Sequence, residues 1–169
     1  MSVYGILLNR YCLNDNILTS ITLTNREHSQ VQNTNGMFVN TVPIMFNVDE
    51  NKSFVFLADK VNSLLLDIYK YGERPFLTIA DKLKINNKKA MNTSFVYQAQ
   101  GEIAFEFENN KIVPEFIATN TSKFELTWEI IPSSAGANIR VEDNCNLLDD
   151  SMAERMMDSF VLLLEQIAK

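Results

Sequence analysis

The chain has 169 residues, 46% of them apolar, with 15 Lys and Arg against 21 Asp and Glu and a formal charge of −6. That length suits one full core and is short for two, so residues 1–169 are expected to form a single packed unit. The acidic balance argues against a nucleic-acid partner, which needs concentrated Lys and Arg, and no run reaches the roughly 18–20 apolar residues of a membrane-spanning helix.

The opening "MSVYGILLNRY" lacks the basic n-region and small-residue cleavage site of a signal peptide, so the protein is expected to be cytoplasmic. Val3, Ile6, Leu7 and Tyr11 fall on one helical face, but the pattern begins with only Ser2 as a cap, like a helix cut into. Residues 17–24, "ILTSITLT", are β-branched and partly alternating and follow an Asn14-Asp15-Asn16 turn, which predicts a strand. A polar connection, residues 25–36, leads to the turn signal Asn35-Gly36 and a second extended run from Met37 to Val48. Asn40 and Thr41 are the only early polar side chains in that run. They either end the turn and face water, or line a pocket or channel.

Ser53 is placed to cap a helix carrying Leu57, Val61, Leu64, Leu65 and Ile68 at 3, 4 spacing, with Gly72 where a left-handed C-cap would stand. Pro75 then opens a short amphipathic helix with Phe76, Ile79, Ala80 and Leu83. The basic residues Lys82, Lys84, Lys88 and Lys89 read as a solvated helix end and loop. "TSFVYQAQ" is a strand pattern, and "EIAFEFENNKIVPEFIA" is a hairpin pattern turning at Asn109 and Asn110, with Pro114 marking an edge. "KFELTWEII" and "ANIRVED" alternate as two more strands around the loop from Ser133 to Gly136. Ser151 to Glu154 has the spacing of a capping box, opening a last helix with Met156, Phe160, Leu163, Leu164 and Ile167 as its stripe. The expected fold is an α/β layered sandwich with a mixed β-sheet covered by helices on at least one face.

Chemistry-bearing groups are sparse. Cys12 and Cys145 have no metal-type spacing and read as free thiols, no metal site is expected, and His28 is the single histidine, set in a polar connection with no Ser or Cys motif beside it. No Gly-rich phosphate loop is present, and Asp149 and Asp150 are accounted for by the helix N-terminus that follows. On these residues no stand-alone catalytic group is expected.

Several segments resemble, in order, the C-terminal lobe of a condensation domain of nonribosomal peptide synthetases, part of the chloramphenicol acetyltransferase-like superfamily. "NGMFVNTVPI" is similar to that family's Gly-x-Phe-Val-Asn-Thr motif, and "LLNRYCLNDNILTSITLTNR" to the helix, turn and strand before it, ending at Arg26. "YGERPFLTIADKL" is similar to its Pro-Phe helix motif, and "KFELTWEI" with "NLLDDSMAERMMDSFVLLLEQI" to its last strands and helix. The chain departs from the family's pattern at Ile21, where a small polar residue is usual, and at "NNKKAMNT", where an Arg-rich motif is usual.

The resemblance implies amide formation between aminoacyl or peptidyl thioesters. No cofactor is bound directly, because the phosphopantetheine is carried on partner peptidyl carrier proteins. It further implies an N-terminal lobe as partner, holding the His-His-x-x-x-Asp-Gly motif that this chain lacks, and no activity for this chain alone. Ser20, Thr22, Arg26, Asn40 and Thr41 are the residues it implies near the substrate channel between the lobes. A small acyltransferase-like protein with its site at an oligomer interface, and a non-catalytic module that docks a carrier protein, are the alternatives.

Overall fold

The structure is a computed structural model that describes residues 1–26, 28–86, 91–99, 105–108, 110–112, 115, 117 and 121–169. The order is α1 (Ser2–Cys12), β1 (Asn16–Leu23), α2 (Ser29–Gln32), β2 (Asn40–Asn47), α3 (Phe54–Tyr71), α4 (Phe76–Leu83), β3 (Thr93–Tyr97), β4 (Phe105–Phe107), β5 (Asn110–Ile112), β6 (Leu126–Ser133), β7 (Gly136–Asp143) and α5 (Asp150–Ile167). Five strands form one sheet in the order β2-β1-β3-β6-β7, while β4 and β5 pair separately. The outer pairs β1–β2 and β6–β7 are antiparallel and the inner pairs β1–β3 and β3–β6 parallel, so the sheet is mixed as expected.

Side chains alternate between the two faces of a strand, so register decides what each face carries. Ile17, Ile21 and Leu23 of β1, Val42, Ile44 and Phe46 of β2, Phe95 of β3, and Leu126 and Trp128 of β6 share one face. Together with Val3, Tyr4, Leu7 and Leu8 of α1, Leu57 and Val61 of α3, and Met156 and Phe160 of α5, they form one buried cluster, so these three helices lie on that face. Fully buried Trp128 packs its ring 4.8 Å from Phe160 and 5.8 Å from Tyr4. An aromatic side chain of this size contributes about 3 kcal/mol by burial. Gly5 lets α1 approach β2, since a β-carbon there would stand 2.4 Å from the Phe46 ring.

Several sequence-based expectations change, among them the stripe of the last helix, where Leu164 and Ile167 are exposed. The buried stripe of α1 runs through Val3, Tyr4, Leu7 and Leu8, with Ile6 and Tyr11 only partly covered. β2 begins at Asn40 rather than Met37, and Met37 is almost wholly exposed. Gly72 ends α3 at φ −78°, so it is no left-handed cap; its missing side chain is required because a β-carbon would stand 2.4 Å from Leu23 Cδ1 and 2.5 Å from the Ile68 carbonyl oxygen. α5 is capped by Asp149, whose Oδ1 accepts from the Met152 amide at 2.7 Å and from the Ser151 hydroxyl at 2.6 Å. Ser151 thus supports the cap instead of forming it.

Ser53 does cap α3, accepting from the Phe56 amide at 3.2 Å. Pro75 is the residue before α4 rather than its first, and buried Phe76 and Ala80 join Met91 in a second small cluster. The β4–β5 pair appears as expected, with Asn110 inside β5. Lys88, Lys89, Asn109 and Pro114 lie outside the described residues.

Candidate functional site

The residues expected near a channel meet where the end of β1 pairs with the start of β2. Thr22 stands opposite Thr41, Ser20 opposite Pro43, and Leu23 opposite Asn40. Leu23 belongs to the helix-covered core, so alternation puts Ser20, Thr22 and Thr41 together on the other face of the sheet and turns Asn40 toward the helices. The adjacent pair Asn40-Thr41 is therefore split between two faces.

Asn40 is half-buried, and its side-chain amide donates to the carbonyls of Gly72 at 2.8 Å and Arg74 at 3.0 Å. Both its N–H groups hold the turn between α3 and α4 against the first residue of β2. Arg26 works the same way on the preceding connection. Its guanidinium donates to the carbonyls of Val31 at 2.8 Å, Thr34 at 2.7 Å and Gly36 at 2.9 Å, and lies 4.5 Å from the Phe38 ring centroid. One planar cation thus bonds three carbonyls, one in α2 and two in the loop after it, and stacks on an aromatic ring, which its rigid fork geometry suits.

Ser20 is fully buried and donates to the Thr93 carbonyl at 2.9 Å, while Thr22 is exposed and Thr41 half-buried. The same face carries exposed Leu18 and Met45, and the ion pair Arg140–Glu129 at 2.7 Å with Gln98 donating to Glu129 at 2.9 Å. Beside this corner a groove of about 340 Å³ runs between α3, α4 and β2, lined by Val42, Ile68, Phe76 and Ile79 with Asp67 and Arg74 among its polar members.

On the core side, Thr93 donates to the Thr19 hydroxyl at 2.9 Å. The Tyr4 hydroxyl is buried beside them without a well-formed hydrogen bond. Burial pushes its pKa up to about 12, and the two threonine hydroxyls pull the other way.

Sequence reasoning passed over Ser94 and Thr127, two further hydroxyls in the central strands whose oxygens are buried and unpartnered. Alternation within each strand shows neither that they share a face, which takes the β3–β6 register, nor that they are covered. His28 is exposed, and among the described residues its polar partner is Glu73, 3.7 Å away and itself exposed. Cys12 and Cys145 are both exposed free thiols. Among the described residues no helix is long and apolar enough to cross a membrane.

A family model described as "Condensation domain" matches residues 1–169. Gramicidin S synthase 2 of Brevibacillus brevis is 30% identical over 171 residues, and surfactin synthase subunit 1 of Bacillus subtilis is 27% identical over 179. Each match takes in 99% of this chain but only 4% and 5% of those long synthases. Among solved structures, a four-domain nonribosomal peptide synthetase bound to AMP and glycine superposes with a TM-score of 0.84 at 16% identity, over 99% of this chain and 14% of that one. The first condensation domain of the calcium-dependent antibiotic synthetase superposes with a TM-score of 0.75 at 13% identity, over 96% of this chain and 36% of that one. The starter condensation domain of rhizomide synthetase gives 0.72 at 9% identity, over 99% of this chain and 40% of that one.

Proposed function

The chain belongs to the condensation domain family, and we propose on that premise that residues 1–169 are the C-terminal lobe of such a domain in a nonribosomal peptide synthetase. In this reading the lobe supports peptide-bond formation, in which the amine of one carrier-bound aminoacyl group attacks the thioester of another and releases the donor carrier's thiol. The observation that carries it is one of extent: nearly the whole chain superposes on 36–40% of two solved condensation-domain chains, so the same fold leaves room for a second part.

The site's composition supports a share of the work without the proton transfer. His28 is exposed, with exposed Glu73 as its polar partner among the described residues, and this reading assigns the base to the other lobe. This lobe's contribution is positioning. Thr22 and Thr41 present hydroxyls toward the channel, Ser20 lies buried on the same face with its hydroxyl on the Thr93 carbonyl, and Arg26 and Asn40 hold the loops at the channel's edge. Its partners are the N-terminal lobe and peptidyl carrier proteins, whose phosphopantetheine arms bring the substrates.

The coding region upstream tests the reading directly. A preceding segment with the His-His-x-x-x-Asp-Gly motif is expected, either in frame or as a separate product. A genomic context with no such segment overturns it.

A further inference from the structure

The sheet has two outer strands, β2 and β7, and their free edges are treated differently. The Val48 amide donates to the Asp15 carbonyl at 2.8 Å, so by alternation the backbone groups of Thr41, Pro43 and Met45 face outward from β2. Pro43 stands where an edge N–H would be, and α4 packs beside the strand, so this edge is guarded. On the other side the Asn144 amide donates to the Glu125 carbonyl at 3.0 Å, which turns the N–H and C=O groups of Ala137, Ile139, Val141 and Asp143 outward from β7. None of these is a proline or a lysine, and among the described residues no strand pairs with them. An edge of eight residues with apolar side chains is one that proteins ordinarily blunt unless something pairs with it.

Beside this edge a groove of about 430 Å³ opens between β7 and the first half of α5, lined by Val141, Ala153, Glu154, Met157 and Asp158. Its floor is apolar, and its two charged members are exposed carboxylates one helical turn apart. Four residues of helix rise about 6 Å, and alternate side chains of a strand repeat about every 6.8 Å. A strand added to β7 therefore matches the pair: two alternate basic side chains lay their methylene stems along Val141 and Met157 and set their charged ends on Glu154 and Asp158.

We propose that β7 and α5 form a docking site for an extended basic segment of a partner protein. The segment adds to the sheet antiparallel to β7, the more stable pairing, and places two Lys or Arg side chains, two positions apart, over Glu154 and Asp158. Main-chain bonds to the edge supply affinity, and the carboxylates select the side chains. Charge decides against a second copy as the occupant. Edge-to-edge pairing of two β7 strands would set one copy's Glu154 and Asp158 against the other's, between chains of formal charge −6, whereas a basic strand is attracted. The site lies at the opposite edge of the sheet from the corner of Ser20, Thr22 and Thr41, so it does not depend on the channel reading.

The test is an NMR titration of the full chain, at moderate salt, with a blocked nine-residue peptide of alternating threonine and arginine. A peptide residue paired with Val141 shares its face, so the arginines that reach the groove are also the residues whose N–H groups bond β7. Saturating shifts are expected at the Ala137, Ile139, Val141 and Asp143 amides. The same peptide N-methylated at its arginines is expected to bind at least tenfold more weakly, and one with glutamate for arginine to give no shifts. The double variant Glu154→Gln, Asp158→Asn, changed only at exposed positions, is expected to bind the arginine peptide about tenfold more weakly with its melting temperature unchanged or raised. Equal binding of the N-methylated peptide, equal binding by the variant, shifts centred on other residues, no binding at all, or a dimer in sedimentation that protects these same amides would overturn the proposal. Dipeptide formation by the joined lobes is a separate readout, so failure of the family-level reading remains distinct from failure of this site.

Discussion

The side-chain amide of Asn40 bridges two carbonyls just past the C-terminal end of α3, Gly72 at 2.8 Å and Arg74 at 3.0 Å, and so ties the start of β2 to the turn between α3 and α4. Replacing Asn40 by Ala removes two hydrogen bonds at a half-buried position and leaves both carbonyls short of a partner, an expected loss of about 1–3 kcal/mol. Asn40→Asp should cost more, because a carboxylate then faces two carbonyl oxygens. Urea unfolding followed by circular dichroism orders the three proteins, and an Asp variant as stable as wild type would contradict the geometry.

Gly72 tests whether a glycine is there for its φ or for its size. At φ −78° any residue is conformationally allowed, but a β-carbon would stand 2.4 Å from Leu23 Cδ1 and 2.5 Å from the Ile68 carbonyl oxygen. Gly72→Ala and Gly72→Asn should therefore destabilise together, by about 1–3 kcal/mol through overpacking. A left-handed cap would instead favour Asn over Ala, so unequal midpoints with Asn near wild type would reject the steric account.

Tyr4 gives a pH signature. Its pKa, near 10 in the unfolded chain, is pushed up to about 12 by burial, so the folded state holds the proton that the unfolded state releases between those values. Stability is fully present below pH 10 and falls as pH rises toward 12, by about 2–3 kcal/mol in total. Tyr4→Phe should flatten this alkaline slope. It should leave stability near pH 7 unchanged or higher, because the hydroxyl it removes has no well-formed partner.

The N-terminus of α5 separates two assignments of one cap. Asp149→Ala should lower the melting temperature more than Ser151→Ala, since the aspartate accepts the Met152 amide and the serine only braces the aspartate. The Ser151 hydroxyl and the Met152 amide hold the Asp149 carboxyl below its ordinary pKa, so its contribution is present above the unfolded value and fades as pH falls through the lowered one. Melting curves of the two single variants at neutral pH decide the order, and a larger loss for Ser151→Ala would restore the capping box.

What the sequence made legible follows from how local each cause is. The α3 cap at Ser53 and its apolar spacing depend on neighbours within one or two turns, and both are found. The mixed sheet was readable as a class because helical and alternating periods differ. The start of β2 was not, since Met37 to Val39 have strand-like side chains, and Arg26 holds the preceding loop by bonds reaching from Val31 to Gly36. Gly72 suits a C-cap by type, but what excludes a side chain there is the Ile68 carbonyl oxygen together with Leu23 Cδ1, the latter 49 positions earlier and invisible to a local pattern. Alternation alone splits Asn40 from Thr41, but which of the two faces the core depends on the register of β2 against β1, which no local pattern encodes.

Dipeptide synthesis by separated lobes is the most direct measurement of the central claim. The chain is mixed with a separately expressed N-terminal lobe carrying the His-His-x-x-x-Asp-Gly motif, and aminoacyl-loaded carrier proteins are supplied, with each half alone as control. General acid–base catalysis is worth about 10² to 10⁴-fold, and His28 is exposed, with the exposed Glu73 carboxylate 3.7 Å away. The account predicts dipeptide only from the mixture, at a rate that His28→Ala leaves unchanged. Turnover by this chain alone, abolished by His28→Ala, would contradict it.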